Sequence, residues 1–106
     1  MLGLFSSCSN FNSVLSSWNT ANTTDMYAMF SNCTSFNQDI STWNVSNVTN
    51  FENMFNGATS FDQDIRAWDV SNAPDFTDMF TGATAMLARY PTLSTNSGVR
   101  AWFAEV

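Results

Sequence analysis

A 25-residue spacing runs through most of this 106-residue chain and narrows what it can fold into. Phe5, Phe30, Phe55 and Phe80 are in step, as are Trp18, Trp43 and Trp68, and Met29, Met54 and Met79 with Leu4 in the equivalent place. Cys8, Cys33, Ala58 and Ala83 keep the same step, and so do Phe11, Phe36, Phe61 and Met86, and Leu15, Ile40 and Ile65. A fixed period with apolar positions in phase marks units that cannot bury their apolar sides alone and do so by stacking. The spacing predicts four stacked repeats over residues 1–90. Trp should recur at position 93, but Leu93 stands there and the next tryptophan is Trp102. Residues 91–106 are therefore expected to form a cap, with Leu93, Val99, Trp102 and Phe103 on the last repeat. Met1 shares a column with Met26, Phe51 and Phe76, so the chain is expected to be a fragment of a longer protein.

Within one repeat the apolar period changes. Trp43 and Val45 alternate with Thr42, Asn44 and Ser46, the pattern of a short strand with one buried face. Val48, Phe51, Met54 and Phe55 then follow a helical stripe. Thr49 with Glu52 makes a capping-box pair, and Pro74 falls in the Thr49 column, as suits a first helical turn. Gly57 and Gly82 suit a left-handed helix end. The expected architecture is an α/β, right-handed, leucine-rich-repeat-like solenoid, with a short parallel sheet on one face and short helices on the other.

Charge limits the partners. Three Arg, no Lys and no His stand against nine acidic residues, a net charge of −6, so no basic stripe exists for a nucleic-acid backbone. No apolar run is long enough to span a membrane. With no His or Lys and no phosphate loop, only carboxylates could do acid–base work, and a regular repeat face encloses no pocket for them. The chain is expected not to be an enzyme, and no cofactor is expected.

Several columns carry two readings. Cys8 and Cys33 alternate with Ala58 and Ala83, which fits small buried thiols; a disulfide between stacked repeats is the other reading. Asp39 and Asp64 stack as like charges, held by turn hydrogen bonds or bridged by a calcium ion. Asn22, Asn47 and Asn72 fit an internal hydrogen-bonded ladder between repeats. The tryptophan column points inward with Thr20, Val45 and Val70, as core and not as a sugar platform. On the opposite, outward face lie Ser17, Asn19, Thr42, Asn44, Ser46, Asp69 and Ser71, the expected binding face.

The run Met54-Phe55-Asn56-Gly57-Ala58-Thr59-Ser60-Phe61-Asp62-Gln63-Asp64-Ile65, followed by Trp68-Asp69-Val70-Ser71-Asn72, closely resembles the bacterial surface protein repeat of about 26 residues. That repeat occurs in Listeria and Mycoplasma surface lipoproteins and looks related to BspA-type leucine-rich repeats. The resemblance covers roughly residues 1–90. It implies an extracellular or cell-surface module with adhesion or protein-binding roles and no catalytic residues. The expected function is non-enzymatic adhesion to a protein or glycan, with a structural spacer as the alternative. Self-association through an uncapped N-terminal end is the further partner expected.

Overall fold

The computed structural model of the chain describes residues 3–73 and 76–105. The helix-start cue at Pro74 and the column position of Met1 lie outside the described residues. The 25-residue repeats stack as rungs, and the apolar columns become ladders of rings. Phe5, Phe30, Phe55 and Phe80 lie over one another with centroids 5.7, 5.7 and 5.4 Å apart. Phe11, Phe36 and Phe61 form a second column at 5.7 Å steps. Within a rung the two columns touch, at 4.1 Å for Phe30 and Phe36 and 4.2 Å for Phe55 and Phe61. The core is thus a block of stacked aromatics, each contact adding about 0.5–1.5 kcal/mol to what burial supplies.

The leucine-rich-repeat-like solenoid with a parallel sheet and repeat helices is not what forms. Among the described residues no strand is present, and one isolated parallel bridge pairs Asp25 with Asn50. The helices are α1 (Thr84–Arg89), a 3-10 turn (Pro91–Ser94) and α2 (Asn96–Phe103). All follow the third rung.

Backbone hydrogen bonding explains the difference. Along residues 26–33 the donors alternate: Ala28, Phe30 and Asn32 reach the carbonyls of Glu52, Met54 and Asn56 in the next rung. Met29, Ser31 and Cys33 instead close tight turns on Met26, Ala28 and Phe30. Half the donors bridge rungs and half stay within one, which is neither a sheet nor a helix. The reversal needs left-handed residues at two points per rung. Gly3, Ala28, Asn53 and Asp78 form one such column with φ between 54° and 58°. Ser7, Asn32, Gly57 and Gly82 form the other. Glycine, asparagine and aspartate tolerate this region; an ordinary Cβ costs roughly 1–2 kcal/mol there.

Ala28, like Ser7, breaks that chemical rule, which makes it a test of the geometry. Ala28→Gly is expected to raise stability by up to about 1 kcal/mol in urea unfolding, strain relief being partly offset by unfolded-state entropy. A loss of stability instead would show that residue 28 is not left-handed.

The predicted capping box does not form either. Thr49 Oγ1 donates to the Thr24 carbonyl of the preceding rung at 3.1 Å, and Glu52 N–H donates to Asn50 Oδ1. The outward strand is replaced by turns for the same reason: Asx side chains take the N–H groups a ladder would need. Ser41, Ser46, Arg66 and Ser71 each donate N–H to the Asx two residues earlier. The inside–outside alternation still holds, with Trp43 and Val45 buried and Thr42 and Asn44 exposed.

The last rung departs where its composition departs. The turn-forming stretch Thr59-Ser60-Phe61-Asp62-Gln63-Asp64 is replaced by Thr84-Ala85-Met86-Leu87-Ala88-Arg89, rich in helix formers. The result is α1. Thr95 caps α2 by accepting Gly98 N–H at 3.0 Å. Leu93, Val99, Trp102 and Phe103 are all buried, and Phe103 lies 5.4 Å from Phe76 and 6.5 Å from Trp68. Arg66 ties this segment to the third rung, gripping Asp64 and Glu105 at 2.8 Å each and lying over Tyr90 and Trp102.

Candidate functional site

Repetition places the seven outward residues. Ser17, Asn19, Thr42, Asn44, Asp69 and Ser71 are exposed and Ser46 is half-buried. Asn19, Asn44 and Asp69 succeed one another on neighbouring rungs, and all three are occupied in the same way. Asn19 Oδ1 accepts Ala21 N–H at 3.1 Å, Asn44 Oδ1 accepts Ser46 N–H at 3.0 Å, and Asp69 Oδ1 accepts Ser71 N–H at 3.1 Å. Ser46 Oγ also donates to Asn44 Oδ1 at 2.6 Å. Hydrogen bonding from the Ser71 side chain, then from its amide, holds the Asp69 carboxyl below its ordinary range. Each Asx is therefore first a turn cap, and only its second polar atom faces solvent unengaged by that turn.

Side chains also bridge the rungs. Asn47 Nδ2 donates to the Ala21 carbonyl at 2.8 Å and Asn72 Nδ2 to that of Ser46 at 2.6 Å. Asparagines do bridge the rungs, but Asn22, Asn47 and Asn72 are exposed, so the ladder lies on the surface and not inside as expected. A second ladder was not read from the sequence. Asn37 N–H donates to Asn12 Oδ1 and Asp62 N–H to Asn37 Oδ1, both at 2.8 Å, while Gln38 and Gln63 clamp the same asparagines. Arg89 ends the series on Asp62 Oδ1 at 3.1 Å. The signal lay in the Asn12, Asn37 and Asp62 column, each followed one residue later by a short polar side chain or Gln.

Asp39 and Asp64 are held by turn bonds rather than by each other. Asp39 Oδ1 accepts Ser41 N–H at 2.9 Å, and hydrogen bonding from Ser41 lowers its pKa. The Arg66 guanidinium does the same for Asp64. Among the described residues no group of three or more His, Cys, Asp or Glu is placed to hold a metal ion. Both cysteines are free; Cys33 is buried, whereas Cys8 is exposed on the first rung, contrary to the buried pair expected. Burial raises the Cys33 thiol pKa.

Trp43 and Trp68 are core, their indole N–H groups donating to the Leu15 and Ile40 carbonyls of the preceding rung at 2.9 and 3.0 Å. Neither offers a stacking surface to a sugar. On the first rung Trp18 and Leu4 are exposed, at 39% and 50%. A groove of about 130 Å³ opens between the fourth rung and the C-terminal segment, lined by Asp78, Phe80, Thr81, Leu93, Ser94 and Asn96 among others. Among the described residues no helix is long and apolar enough to cross a membrane.

No curated protein and no solved structure matches the chain. One family model does, over residues 1–92, so the match takes in the stacked repeats and ends at the start of the C-terminal segment. The family is described by its source of sequences and by the absence of an assigned function, which agrees with the Mycoplasma side of the resemblance and transfers no site residue. The chain belongs to the family described as Mycoplasma protein of unknown function, DUF285.

Proposed function

We propose that the chain is a non-enzymatic binding module of an extracellular or surface-exposed repeat protein, acting through its outward polar columns on a protein or glycan. One observation carries the reading: the Asx caps hold Asn19, Asn44 and Asp69 in the same orientation on successive rungs. Their outward atoms are ordered before any partner arrives, which lowers the entropy cost of binding. Kinship with BspA-type repeats belongs to this reading as descent, carried by the motif between Met54 and Ile65, and not as architecture. Self-association is part of it too, through the first rung, where Phe5 and Phe11 are half-buried and Trp18 is exposed.

The caps dictate how the face must be tested. Asn44→Ala removes both the outward amide and the turn acceptor, and is expected to cost about 1 kcal/mol. Asn44→Asp keeps the acceptor, as Asp69 does in the same column, and replaces the outward N–H donors with a negatively charged oxygen. Binding of the folded chain to arrayed glycans and extracellular matrix proteins is expected to fall with Asn19→Asp/Asn44→Asp, while the melting temperature holds. Equal binding by that double variant would overturn the polar face as the site. A chain that melts cooperatively and binds nothing in the array would favour the spacer, a reading supported by how many surface side chains are already bonded within the molecule.

A further inference from the structure

The inter-rung ladder stops before its donors run out. In the first three rungs the N–H groups of the ladder segment meet carbonyls of the next: Phe5 reaches Met29, Phe30 reaches Met54 and Phe55 reaches Met79. Asn53 and Gly57 do the same with Thr77 and Thr81. Their fourth-rung equivalents are Asp78, Phe80 and Gly82, and among the described residues no acceptor faces these three N–H groups. The C-terminal segment substitutes for a fifth rung at one point. Asn96 Oδ1 accepts Phe76 N–H at 2.9 Å, as the Asn50 carbonyl accepts from Met26 two rungs earlier. Elsewhere α2 covers the rings and leaves the ladder edge open, and the groove lined by Asp78, Phe80, Leu93 and Ser94 runs along it.

We propose that this groove takes an extended peptide segment of a partner protein, which presents backbone carbonyls at alternate residues and a Lys or Arg beside Asp78. The contact continues the ladder already built between rungs, so its register follows from the fold. Gly3 N–H meets the Tyr27 carbonyl, Phe5 that of Met29 and Ser7 that of Ser31. A segment copying residues 27–31 therefore meets Asp78, Phe80 and Gly82 in turn. This is edge addition, in which main-chain bonds give affinity and side-chain surroundings give specificity. Charge selects the occupant. The chain carries −6, and Asp78 lines the groove; among the described residues its carboxylate accepts the Thr81 hydroxyl at 3.1 Å. A free anion is repelled there; a neutral backbone with a basic side chain is not. The site is separate from the outward Asx columns, and variants of one leave the other intact.

Amide exchange and a peptide titration by NMR test the assignment. In the free chain the amides of Asp78, Phe80 and Gly82 are expected to exchange on the order of a hundredfold faster than those of Asn53, Phe55 and Gly57. The probe is the synthetic heptapeptide Met-Lys-Ala-Met-Phe-Ser-Asn, which copies residues 26–32 with Lys in the Tyr27 place. It is expected to shift and protect the three amides, and the same peptide with Glu in place of Lys to bind at least about tenfold more weakly. Asp78→Asn, an exchange the Asn53 column tolerates, should erase that preference. Ser94→Trp, filling the groove mouth, should abolish binding without lowering the melting temperature. Amides already protected in the monomer, or undiminished binding to Ser94→Trp, would overturn the proposal. Protection that grows with protein concentration alone would overturn it in favour of a second copy of this chain.

Discussion

Phe55→Ala is expected to lower the unfolding free energy by about 3–5 kcal/mol, read from urea or thermal melts. Phe55 is fully buried, with Phe30 at 5.7 Å before it, Phe80 at 5.4 Å after it and Phe61 at 4.2 Å beside it. Truncation removes a ring from the middle of a stack, and the rungs on either side cannot close over the gap without breaking ladder bonds on both. In a repeat array stability is a sum of unit and nearest-neighbour terms. Position along the stack therefore matters as much as side-chain size. Phe5 stands in the same column but is half-buried and has one neighbouring rung. Phe5→Ala should cost well under half as much. Equal losses at the two positions would mean the phenylalanine column is not the continuous ladder described.

The C-terminal segment offers the second large effect. Gly98 lies inside α2 where a Cβ would meet the Thr92 carbonyl oxygen, with the Thr95 hydroxyl beside it at 2.9 Å. Gly98→Val must therefore push α2 off the 3-10 turn and strain the cap bond that Thr95 makes to the same residue. Backbone cannot yield there as a flexible side chain would. A loss of about 3 kcal/mol is expected, with increased solvent exposure of Trp102 and Phe103, which are buried in the native chain. Tryptophan emission should shift to the red before the rungs melt. A variant with native stability and native emission would show that the segment is not seated as described.

How much of this was legible varies by residue. The buried set was readable: Trp43, Val45, Phe51, Met54, Phe55 and Phe61 are all inside, because apolar phase is a property of the sequence alone. The backbone was not. Phe51, Met54, Phe55 and Ala58 show helical spacing, yet a run of turns with left-handed residues at 53 and 57 places the same four inward. Gly3, Asn53 and Asp78 in one column were the sign of it, obscured by Ala28. The outward residues are exposed apart from half-buried Ser46, but their first role was missed. Asn44 and Asp69 looked free because a side chain bonding the backbone two residues on leaves no trace in apolar periodicity.

The sequence by itself determined the period, the inward columns, the family and the residues after Tyr90 that cover the last rung. Each depends on which side chains are apolar and how far apart they stand. Tertiary structure alone decided where the backbone donors go. A strand, a helix and a chain of turns can bury the same columns. The choice among them rests on whether each N–H finds its acceptor within its own rung, on an Asx side chain, or on the next rung. That choice removed the expected sheet, made turn caps of the outward asparagines, and left Asp78, Phe80 and Gly82 with no acceptor among the described residues.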